Sequence, residues 1–120
     1  VSALAVAVGA ALGAPVRFLV DLALRGVLGA AFPWGTLAVN ATGSLLLGAL
    51  LGLPLSPQAM AVWGTGFCGA LTTYSTFALE TVQLARGGTG RRAAVYVLVS
   101  LALGTGSAWV GLAVTSAVVS

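Results

Sequence analysis

The sequence predicts an all-α, polytopic membrane protein with four transmembrane helices, and three observations predict it. Of 120 residues, 59% are hydrophobic and 6% charged, against roughly 25% charged in a soluble domain. That is too little charge to cover a water-facing surface. Mean hydropathy is +1.10, so the apolar material must face lipid or a partner. Breaks at Pro33, from Pro54 to Pro57 and from Gly87 to Gly90 divide the chain into four apolar stretches, each about the ~20 residues that cross the hydrocarbon core. Residues 1–120 are expected to form a single four-helix transmembrane domain, with spans at about 3–24, 35–53, 58–85 and 92–118.

The first stretch lacks a basic segment and a small-residue cleavage site, so it is expected to be a span and not a signal peptide. Arg17, Asp21 and Arg25 follow at i, i+4 and i+8 on one helical face, where the carboxylate can neutralise either guanidinium. Trp34 suits an interfacial anchor at the start of the second span. Within that span Asn40 has Thr36 and Ser44 one turn to either side; an asparagine here serves equally as interhelical glue or as the lining of a path. Ser56-Pro57 has the form of a helix N-cap followed by proline at the first position.

The third span differs from the others. Its run from Gly64 to Phe77 places three glycines and six hydroxyls near mid-membrane, which predicts a helix broken there. A broken helix is tolerated at that depth only where its backbone is buried in protein or lines a cavity. Such a break frees carbonyls for a cation and amides for an anion. Glu80, one turn past Phe77, is an ionisable group in or near the membrane and a functional candidate for that reason; the alternative is that it reaches the interface near Arg86. In the fourth span Tyr96, Ser100, Leu103 and Ser107 share a stripe, a weaker signal because serines in membrane helices bond to their own backbone. Small residues four apart (Gly9 and Gly13, Gly48 and Gly52, Gly66 and Ala70) fit close helix packing.

These groups suit passage of a small ion without covalent chemistry. There is no histidine, no cluster of metal-ligating side chains and no nucleophile–base pair, so the chain is not expected to be an enzyme. The basic residues are five arginines, without the aromatic interleaving of a nucleic-acid surface. The single cysteine, Cys68, excludes an internal disulfide. Hydroxyl and amide donors can replace an anion's hydration shell, and the positive edges of aromatic rings such as Tyr74 and Phe77 can contact it.

The run from Gly66 to Phe77, followed by Glu80, resembles the third-helix signature of the Fluc (CrcB) fluoride channels. The run from Gly35 to Ser44 resembles their second-helix motif, and that from Gly13 to Phe18 their first. The resemblance implies a fluoride channel of the cytoplasmic (inner) membrane, built as an antiparallel, dual-topology dimer with two pores. It implies a central structural sodium ion held by backbone carbonyls of Gly69 and Thr72. It implies pore residues Asn40, Tyr74, Phe77, Tyr96 and Ser100, with Thr73 and Ser75 adding hydroxyls near the break. Arg17 would lie by the aqueous vestibule, and Glu80 matches the family's acidic residue. Two departures stand out: Tyr74 replaces the usual phenylalanine, and Ala70 a common glycine.

The charge pattern complicates the topology. Arg25, Arg86, Arg91 and Arg92 fall on one side of the four spans and none on the other, a bias that puts both termini outside. A heterodimer with an oppositely oriented paralogue therefore stands beside the homodimer. Two other functions compete with a channel. A small dual-topology multidrug transporter needs a carboxylate in the core of its first helix, and Ala3 to Val16 holds none. A non-conducting assembly subunit would use the same packing glycines.

Overall fold

The computed structural model describes residues 2–29, 31–72, 75–88 and 90–119, and every regular element among them is helical. Helix α1 spans Ser2–Leu28. It passes the expected end near Leu24 and stops at Gly29, whose φ of 82° suits glycine and whose amide bonds to the Arg25 carbonyl at 3.0 Å. Helix α2 spans Trp34–Leu51. The Gly52 and Leu53 amides close its last turn on Ala49 and Leu50, and Pro54 cannot continue the helix.

The third stretch comes in pieces: α3 (Pro57–Met60), a π-helix (Ala61–Cys68), α4 (Gly69–Leu71) and α5 (Ser75–Arg86). Ser56 caps the start, its hydroxyl accepting from the Ala59 amide at 3.1 Å. Within the run expected to break, Gly69 is helical (φ −63°, ψ −37°). The break comes at Thr72, which is extended (φ −80°, ψ 159°). There the Thr72 hydroxyl and amide both donate to the Cys68 carbonyl, at 2.8 and 2.9 Å. Local bonds of this kind compete with helix propagation. The π-helix had no counterpart in the sequence reading; such wide turns are rare and often occur at functional sites. Thr73, Tyr74 and the Ser75 side chain lie outside the described residues. Helix α6, Gly90–Val119, completes the chain.

Helix α2 packs chiefly on α6, and α1 on the π-helix. Glycines make both seams. A Cβ at Gly48 would overlap the Ala108 carbonyl, and one at Gly111 the Leu45 carbonyl. On the other side, a Cβ at Gly9 would overlap the Val62 carbonyl, and one at Gly66 would crowd that of Val6. Without a hydrophobic drive between helices in lipid, such backbone-to-backbone approach holds them together. Leu4, Phe18, Leu98 and Trp109 are among many exposed apolar side chains. The longest extent is 47 Å, close to the ~40–45 Å of a bilayer with its headgroups. Ala3–Leu28, Trp34–Leu51 and Gly90–Val119 are each long and apolar enough to span it. The molecule is a multi-pass membrane bundle of three long apolar helices and one bent, interrupted stretch.

Candidate functional site

An open groove of about 730 Å³ runs between α2, the interrupted stretch and α6. It brings together Asn40 and Ser44 from α2, Gly69 and Thr72 at the break, Phe77 from α5 and Ser100 from α6. Six of the residues named from the sequence thus share one cleft. The spacing explains it: Thr36, Asn40 and Ser44 recur every four residues on α2, and Phe77 follows the break by little more than a helical turn. Among the described residues the groove wall carries no ionisable carboxylate or guanidinium.

The polar groups of the groove are in different states. Asn40 has an interaction within the chain. The Thr72 hydroxyl is committed to Cys68, and the Thr72 methyl presses on Gly43. The Ser100 hydroxyl is shielded from solvent and has no hydrogen-bond partner among the described residues. A buried hydroxyl left so is costly, by about 1–3 kcal/mol. Gly69 is exposed, and a Cβ there would meet nothing within 4 Å.

At one end the groove is closed by a buried cluster. Tyr96 is fully buried at 0% exposure, and its ring centroid lies 5.1 Å from that of Phe77 and 5.4 Å from that of Phe32. Its hydroxyl donates to Glu80 Oε1 at 3.1 Å. Tyr96 therefore backs the groove through Phe77 and does not line it. Glu80 faces a second cavity, of about 380 Å³, shared with Asp21, Arg25, Trp34 and Arg92. Of the two sequence alternatives for Glu80, the structure has it turned inward to Tyr96. Arg17 is apart from the groove too, in a small cavity of about 180 Å³ with Asp21, Gly35, Thr36 and Thr76.

Sequence reasoning missed several of these neighbours. Phe32 stacks edge-on to Tyr96 at 84° and tilts against Trp34; the Phe-Pro-Trp sequence was the available signal. Thr65 and Cys68 line the groove, at the three- and four-residue spacing that also brings Gly69 and Thr72 to it.

Residues 4–112 match the family described as CrcB-like protein, Camphor Resistance (CrcB). The chain belongs to the CrcB family. Family members elsewhere agree along nearly their whole length. A Streptomyces avermitilis protein named fluoride-specific ion channel FluC 1 is 46% identical over 113 residues, covering 91% of each chain. A Rhodococcus jostii protein named fluoride-specific ion channel FluC 2 is 48% identical, covering 94% of this chain and 97% of that one. One from Thermobifida fusca, also named fluoride-specific ion channel FluC 1, is 47% identical over 93% of each. The CrcB family consists of channels, and this chain is not an enzyme.

Proposed function

We propose that this chain is a fluoride-selective channel that passively exports fluoride across the cytoplasmic membrane and so limits fluoride toxicity. Two oppositely oriented chains, each crossing four times, close their grooves against one another and enclose two pores. The observation that carries the reading is the groove itself, whose wall brings together Asn40, Phe77 and Ser100, with no hydrogen-bond partner for the Ser100 hydroxyl and no carboxylate in the wall among the described residues. Such a wall offers hydrogen-bond donors and an aromatic edge to a small anion. It offers no proton-coupling acid to a multidrug transporter. The names of the relatives point to fluoride among anions.

The break fits a structural cation. Helix α4 ends at Leu71, so the carbonyls of its last turn lack amide partners within that helix, and open space adjoins Gly69. The Gly69 and Thr72 carbonyls of two chains would hold a sodium ion, which supplies fixed positive charge between the two paths. The one-sided arginines keep a heterodimer of opposed paralogues as the second form of the same assembly.

The test is efflux from liposomes holding the purified protein under a potassium-set voltage, read with fluoride and chloride electrodes. Fluoride should leave rapidly and chloride hardly at all, with no proton gradient imposed. Comparable chloride efflux, or dependence on a proton gradient, rules the reading out. Ser100→Ala separates conduction from packing at the same bench. Removing an unsatisfied hydroxyl leaves thermal stability unchanged or raised, while fluoride efflux should fall by about threefold to tenfold for a lost hydrogen bond of roughly 0.7–1.4 kcal/mol. Unchanged efflux returns Ser100 to a packing role.

A further inference from the structure

Asp21 stands at a place that neither the groove nor the break explains. It lines both lateral cavities, the smaller one with Arg17 and the larger one with Arg25 and Arg92. Of the two arginines spaced to reach it, it pairs with Arg25, whose Nε lies 3.0 Å from Oδ2. Its other oxygen, Oδ1, packs against Gly35 in the first turn of α2, so closely that a Cβ at Gly35 would overlap it. Thr36, the next residue of α2, lines the smaller cavity too, and one turn beyond it Asn40 lines the groove.

We propose that Asp21 is a rate-setting residue: its carboxylate offsets the arginine charge on the anion's approach and holds fluoride flux below what the arginines alone would give. This rests on the channel reading. Clefts lined by one sign of charge concentrate the opposite ion, and their effect fades with added salt. Arg17 and Arg25 flank the carboxylate in chain and in space, so its negative charge cancels part of their field where the two cavities meet. The close fit to Gly35 keeps the carboxylate in place, because any larger residue there would push α2 away from α1.

Asp21→Asn has the same shape and retains an oxygen, so the contact with Gly35 persists while the charge is lost. Fluoride efflux should rise about threefold at ~0.01 M ionic strength, where the Debye length is ~30 Å, and return to the parent value at ~1 M, where it is ~3 Å. Arg25→Gln, on an exposed side chain, should lower efflux about twofold at low salt only. The double variant should lie between the two. A purely structural role predicts the reverse for Asp21→Asn: slower efflux, equally at both ionic strengths. That result, or no change at either, overturns the proposal. If Asp21→Asn fails to fold, Arg25→Gln carries the test, and a change independent of salt, or none, overturns it. A parent chain that releases no fluoride overturns the channel reading, and the role of Asp21 with it.

Discussion

Liposomes carrying the Asn40→Asp protein should release fluoride about a thousandfold more slowly than the parent. Asn40 lies in the groove wall beside Phe77 and Ser100, and the exchange replaces an amide donor by a fixed negative charge of nearly the same volume. Two unit charges about 4 Å apart at an effective dielectric constant of 20 repel by roughly 4 kcal/mol, and each ~1.36 kcal/mol is tenfold in rate. The fold should survive, since the groove is open on this side and the shape is conserved. A sizing column checks assembly and an electrode checks flux. Parent-like efflux from a folded variant would make Asn40 interhelical glue.

Phe77→Ile should slow fluoride by about tenfold and leave assembly intact. Isoleucine keeps apolar bulk against Tyr96, whose ring centre lies 5.1 Å away, but it has no ring edge to present to an anion. Aromatic geometry of this kind contributes about 0.5–1.5 kcal/mol beyond the area buried, which sets the size of the loss. Loss of packing against Tyr96 predicts a different outcome, with lowered thermal stability and a disturbed Tyr96–Glu80 bond. Flux and melting temperature measured on one preparation separate the two. Full flux with a lowered melting temperature assigns Phe77 to packing alone.

The architecture was legible in the sequence because lipid imposes simple rules. Apolar stretches of spanning length, cut by Pro33, Pro54 and Gly87, mark helices without any knowledge of packing. The four-residue recurrence of Thr36, Asn40 and Ser44 already put Asn40 and Ser44 on one face, and the groove has both. The break was legible as a concentration of glycines and hydroxyls, but not its position. Gly69 carries the higher breaking propensity, yet it is helical and the chain turns at Thr72, where side chain and backbone share one carbonyl. The π-helix was illegible, because Ala61 to Cys68 holds no residue that signals wide winding. Glu80 was read as an isolated acid. Its partner Tyr96, sixteen residues away on another helix, comes within reach only through the turn between α5 and α6.

The central claim is that the open groove of one chain becomes an anion path when a second, inverted chain covers it. A crystal structure of the purified protein grown in sodium fluoride tests this most directly. The account predicts two antiparallel chains, with Asn40, Phe77 and Ser100 facing an enclosed path and the Gly69 and Thr72 carbonyls of both chains gathered around a cation on the two-fold axis. Two parallel chains, or grooves turned outward to detergent with the break unpaired, would contradict it.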